Sequence, residues 1–211
     1  MSITAGEIVN WVVTLAASFS GAWFAFLYQL RIKDEEIIEK QVAAGNVGLI
    51  AMLKIIDITT KYNSDFISPN RAAPAIEFAI PPSMPDINSE ISINHEALAF
   101  LIENKRRGLF KNTIEFQNRY EFIANIINKR TELFKSHIHN AYSKAGLTHE
   151  GLYDPETLKN VIGEKNHVAL KQLTDAIVEQ VDSSLTFFIQ VKEDLISALK
   201  EDYPNHVIFE Y

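Results

Sequence analysis

Hydrophobic and polar positions along this chain fall into four successive patterns, and each marks a segment. From Ile8 to Leu30 the residues are IVNWVVTLAASFSGAWFAFLYQL, 23 in a row without a charge. A helix rises about 1.5 Å per residue, so such a run is long enough to cross a hydrocarbon core of roughly 30 Å. Beyond it, Ile38, Val42, Leu49, Leu53, Ile56 and Tyr62 recur at helical spacing with no proline before Pro69. This predicts that the spanning helix continues into a stalk over residues 31–66, with Asp34, Glu35, Glu36 and Glu39 as a charged collar. Gly45 and Gly48 are the positions where that helix is expected to kink.

Residues 67–94 hold five of the seven prolines (Pro69, Pro74, Pro81, Pro82, Pro85) yet keep Ile76, Phe78, Ile80, Met84 and Ile87. Proline excludes a helix interior, and an apolar loop of this length predicts a strap across a bundle rather than a free linker. Docking of a protein partner on the segment from Ala72 to Met84 is the functional alternative.

Helical periodicity then returns over 95–211. Asn94 is placed to cap a helix from His95 that turns Leu98, Leu101 and Ile102 inward. A restart near Gly108 leads into a long amphipathic helix carrying Phe116, Tyr120, Ile123, Ile127, Phe134, Ile138 and Tyr142, closed by Gly146. Asp154-Pro155-Glu156 opens a short helix. A last long one after Gly163 carries Val168, Leu173, Ile177, Val181, Leu185, Phe188, Leu195 and Leu199 and stops before Pro204. No stretch alternates as a strand does. The expected fold is all-α: an N-terminal segment 1–30 with one span, a stalk 31–66, a crossover 67–94 and a bundle of about four helices.

The flanks of the span orient it. Trp11 stands near one end, while Trp23, Phe24, Phe26 and Tyr28 crowd the other, as expected of rings at the two headgroup layers. All 20 Lys and Arg lie after position 30, beginning with Arg31 and Lys33, which predicts an outer N-terminus and a cytoplasmic domain, at the inner membrane if the chain is bacterial. A cleaved signal peptide would need a basic leader and a shorter apolar core. Within the span, Asn10, Thr14, Ala17, Ser18, Gly21 and Ala25 recur every three or four residues on one face. Small residues at four-residue spacing let helix backbones approach closely, so this face is expected to mediate self-association. A water-filled pore lined by Asn10, Thr14, Ser18 and Gly21 is the other reading of the same stripe.

Composition narrows the chemistry. A net charge of −7 argues against general nucleic-acid binding, and the absence of cysteine removes disulfides and thiolate metal sites. The histidines show no metal-ligand spacing and no phosphate loop or nucleophile elbow occurs, so neither metal nor cofactor is expected. Lys105, Arg106, Arg107 and Lys111 form the densest basic patch, a candidate contact for anionic lipid or phosphate. Arg130 and His137, seven residues apart on a predicted helix, share a face. There an arginine could hold a phosphate while a histidine acts as general acid or base.

The spacing of Arg130 and His137 matches the loose R-x4-6-H pattern of HEPN ribonucleases, which are all-helical and usually dimeric. With the short N-terminal span, charged stalk and proline-rich crossover, the layout resembles small bacterial membrane proteins of phage defence. Among these is the HEPN-like transmembrane accessory protein of RNA-targeting type VI CRISPR systems. The resemblance implies oligomerisation and membrane permeabilisation rather than enzymology. Thr131 follows the arginine where active HEPN enzymes often carry a polar amide, acid or histidine. Three functions remain: a non-enzymatic membrane effector or scaffold, with lipid bilayer and a second copy as partners; a tethered metal-independent ribonuclease using Arg130 and His137; and an anchored module for a protein partner.

Overall fold

The computed structural model describes residues 5–82, 91–147 and 153–210; of residues 5, 7–10 and 12 it describes the backbone alone. Among the described residues every regular element is helical. Helix α1 spans Ala5–Tyr62, 58 residues without a break, and a π turn at Asn63–Ile67 ends it. Short helices α2 (Ile76–Ala79) and α3 (Phe100–Glu103) follow. Helix α4 (Arg107–Leu133) passes through a second π turn, Phe134–Ile138, into α5 (His139–Lys144). Helices α6 (Pro155–Ile162) and α7 (Glu164–Asp202) complete the chain.

One helix, among the described residues, is long and apolar enough to cross a membrane, and it is α1. Its two halves differ. From Val13 to Ile37 every side chain is exposed, whereas Val42, Leu49, Met52, Ile55 and Tyr62 enter the main core. The predicted stalk is therefore short: from Val42 onward α1 is a helix of the bundle, because its apolar stripe has a partner in α7. The helical assignment runs unbroken through Gly45 and Gly48. An added Cβ at Gly45 would lie 2.7 Å from the Leu199 methyls, and one at Gly48 would lie 3.4 Å from those of Leu98. These glycines make room for neighbours.

Helix α7 packs along both α1 and α4 and runs antiparallel to each. Its C-terminal end meets Gln41 of α1, through Tyr203, and Arg106 at the start of α4. Its middle meets Arg71, past the end of α1, and its N-terminal half meets Arg130 near the end of α4. Three long helices, rather than about four, thus enclose the core, with Phe116 of α4 against Phe188 of α7 at a ring separation of 4.2 Å. A smaller cluster of Phe134, Ile138, Tyr142, Ile162 and Leu170 fills the end farthest from the span.

The helix ends follow local chemistry. Asp154 caps α6 by accepting from the Thr157 amide at 3.0 Å. Gly146, with φ 71°, ends α5 while Leu147 and Gly146 donate to the Tyr142 and Ser143 carbonyls. Asn94 accepts from the Ala97 amide as expected, but the chain there makes turns before α3 begins at Phe100. Leu98 and Leu101 are buried, whereas Ile102, expected inward, is exposed, as is Val168 near the start of α7. Val168 stands about half a turn round α7 from buried Leu170 and Ile177, so it faces away from the core.

The described parts of the proline-rich segment, residues 67–82 and 91–94, pack on the bundle. Ile67, Ile80 and Ile93 are buried in the main core with Ile76 and Ile91 packed against it. Met84, Pro85 and Ile87 lie outside the described residues.

Candidate functional site

Irregular backbone laid over a core needs partners for its amides and carbonyls. Two buried side chains of α4 supply them. Arg130, 1% exposed, donates through Nη2 to the carbonyls of Glu77 (3.0 Å) and Ile80 (2.5 Å). Its Nη1 donates to Pro81 (3.1 Å), and its Nε to the Thr174 hydroxyl (3.0 Å). The guanidinium thus takes up the carbonyls around the end of α2, as a cation at a helix C-terminus should. Burial pulls its pKa below the ordinary arginine value. Gln117 clamps the other end of the strap, accepting from the Ile93 amide at 3.1 Å and donating to the Ile91 carbonyl at 3.2 Å. The buried Glu77 carboxylate reaches His167 Nε2 at 3.0 Å, and that imidazole stacks on Phe78. At the surface, Arg71 grips Asp182 with two bonds of 2.8 and 2.7 Å, which holds the aspartate below its usual pKa.

This geometry redefines the first candidate pair. His137 is exposed and lines a shallow depression of about 540 Å³ with Ser136, Asn140, Lys144 and Val161. Arg130 is buried, with its guanidinium on the strap. The π turn at Phe134–Ile138 widens the helix between them and rotates His137 off the face it would share with Arg130 in a regular α-helix. The structure does not bring the two together, and the hydrogen bonds of Arg130 go to the fold.

The basic patch divides as well. Arg106 pairs with Glu201 at 2.6 Å and Asp202 at 3.0 Å, closing α4 onto the end of α7; Asp202 and Glu201 together raise its pKa. Lys105, Arg107 and Lys111 are exposed at that same end, which is the end of the bundle nearest the span. The strap's Ile80 points into the core and Ile76 and Phe78 are half-buried against it, so the apolar side chains from Ala72 to Pro82 are largely occupied by the bundle.

On the span, Thr14, Ala17, Ser18, Gly21 and Ala25 are exposed, and nothing lies within 4 Å of a Cβ placed at Gly21. Asn10 belongs to the helix, but its side chain lies outside the described residues. Farther along α1 is a surface absent from the sequence reading. A groove of about 480 Å³ is lined by Ile50, Leu53, Ile56 and Phe209. The C-terminal tail forms its far wall, fixed to α1 because Asn46 donates to the Val207 carbonyl (3.1 Å) and accepts from the Phe209 amide (2.8 Å).

The chain matches no protein-family model, no curated protein and no solved structure. Its function rests on its own geometry.

Proposed function

We propose that this protein is a membrane-anchored, self-associating scaffold or effector, without an enzymatic centre of its own. The observation that carries the reading is α1, a single helix whose first half is apolar and exposed all round and whose second half is part of the bundle core. Exposed apolar surface on this scale calls for lipid as its solvent. An unbroken helix fixes the bundle rigidly beneath that lipid. Arg31 and Lys33 just past the span favour a cytoplasmic bundle. Thr14, Ala17, Ser18, Gly21 and Ala25 supply a face on which spans can pack.

The test is the oligomeric state of the full chain in detergent across a concentration series. An assembly that Gly21→Leu weakens supports the reading, and a strict monomer at every concentration removes it. Cysteine at Thr14 or Ser18 then separates a conducting effector from a packed scaffold. Rapid labelling by a water-soluble thiol reagent with ion leak means a wet lumen, whereas slow labelling with intact membrane potential means dry packing. The likeness of layout to phage-defence membrane proteins adds a further test: phage challenge of cells with and without the gene.

A further inference from the structure

The outer side of α4 and α5, at the end of the bundle farthest from the span, differs in charge from the rest of the chain. From Lys129 to Gly146 the sequence has Lys129, Arg130, Lys135 and Lys144 against Glu132 alone, in a protein of net charge −7. Arg130 is buried under the strap, whereas the other four are exposed, as are His137 and His139. The depression of about 540 Å³ lies on this surface. His137, Asn140 and Lys144 line it at spacings of three and four, the spacing of one helix face.

An anion needs donors that converge and no acceptor facing it. Among the described residues no carboxylate lines the depression. The Ser136 hydroxyl donates to the Glu132 carbonyl at 2.6 Å and Asn140 Nδ2 to the Ser136 carbonyl at 2.8 Å, so these carbonyls of the widened turn are taken. The last carbonyls of α5 are taken as well, since Ala141, Tyr142 and Ser143 accept from the amides of Ala145, Leu147 and Gly146. This covers the negative end of that helix. Beside it, Glu164 pairs with Lys159 at 3.3 Å and Asp154 caps its own helix. Glu156, five residues before Val161, lies on a different side of α6 from that lining residue. What remains for a ligand is the Lys144 ammonium, a ring N–H of His137 and the second N–H of the Asn140 amide. Among the described residues neither His137 nor Lys144 is bound to another side chain.

We infer that this depression binds a phosphate group, with Lys144 supplying charge and His137 and Asn140 supplying hydrogen bonds. An ammonium and a phosphate oxygen form a charge-assisted bond, stronger than a neutral pair. The volume is that of a small-ligand pocket and exceeds what a phosphate ion fills. Ala141, Ala145 and Val161 add apolar surface beside the donors, so a phosphate monoester of a small organic molecule fits as the free ion does. Under the anchoring proposed above, the headgroups of the bilayer lie at the other end of the bundle, which leaves a soluble phosphate as the ligand. The site binds and does no chemistry.

Titration calorimetry of the full chain in a maltoside detergent, which carries no phosphate, tests this with inorganic phosphate, AMP and adenosine at constant ionic strength. Saturable binding of inorganic phosphate or AMP, and none of adenosine, is the expected result. Binding of the ion alone identifies free phosphate as the ligand, and tighter binding of AMP identifies a monoester. His137→Ala and Lys144→Met should each weaken binding several-fold. Lys129→Met, exposed on α4 and outside the depression, should not. All three side chains are exposed, so folding is preserved, which circular dichroism of each variant verifies. Absence of saturable binding by both phosphate probes would overturn the inference. So would adenosine binding as tightly as AMP, because apolar contact alone would then be recognised. An equal loss in Lys129→Met would also overturn it, since diffuse attraction to a basic surface would then replace a site.

Discussion

Two glycines in one helix show how differently the halves of α1 are built. Gly21 has open space where a side chain would be, and Gly45 has Leu199 at 2.7 Å from its absent Cβ. In sequence they look alike, each a glycine among apolar residues. One lies where nothing among the described residues comes within 4 Å, and the other lies where Leu199 of α7 is pressed against the backbone. The bundle half of α1 is thus specified by close complementarity inside one chain. The first half is specified by length and apolarity, and under the proposed function its small residues act on a neighbouring span.

The largest effect on this contrast should come from Arg130, which is remote from the span. Arg130→Met leaves the Glu77, Ile80 and Pro81 carbonyls and the Thr174 hydroxyl without this donor. It should cost about 3–5 kcal/mol of bundle stability, read as a lowered melting temperature by circular dichroism in detergent. Loss of less than about 1 kcal/mol would mean that the strap is not held by this residue. Next comes the glycine comparison itself. Gly45→Leu should destabilise the bundle by about 1–3 kcal/mol through overpacking, with partial rescue by Leu199→Ala. Gly21→Leu should leave the melting temperature of the bundle unchanged and weaken assembly alone. Should both variants lower melting equally, the two halves are not independent. Gln117→Leu follows, at about 1–3 kcal/mol for the Ile91 and Ile93 backbone groups left unpaired. The smallest effect belongs to Lys105, held at φ 62° where it ends α3. Replacing it with glycine should raise stability by about 1 kcal/mol, since glycine bears no left-handed penalty.

Much of this arrangement can be read from periodicity, because burial at 3.6-residue spacing depends only on which side a helix turns inward. Phe116, Tyr120, Ile123, Ile127, Phe134, Ile138 and Tyr142 are all buried as their spacing predicts. The strap was legible for a related reason, since apolar residues among prolines leave packing as the stable outcome. Arg130 was misread because a charged residue on a long helix suggests a solvated or catalytic face. Yet it stands in phase with Ile123, Ile127 and Phe134, and an arginine within an apolar stripe signals buried carbonyls in need of a donor. Gln117, beside Phe116 and three residues before Tyr120, carried the same signal. The π turn left none: it adds no residue type of its own, and it decides where His137 points. The groove beside Ile50 was hidden because one wall is Phe209, brought against α1 from the far end of the chain by Asn46.

The proposed function requires that α1 be a membrane anchor continuous with the bundle. Membranes from cells expressing the full chain, washed with alkaline carbonate, put that to the test when compared with a chain that begins at Lys33. The full chain should stay with the lipid pellet and the shortened one should appear folded in the soluble fraction. Release of the full chain by carbonate would contradict the account, because a helix with 23 uncharged residues across the bilayer cannot be stripped by pH alone.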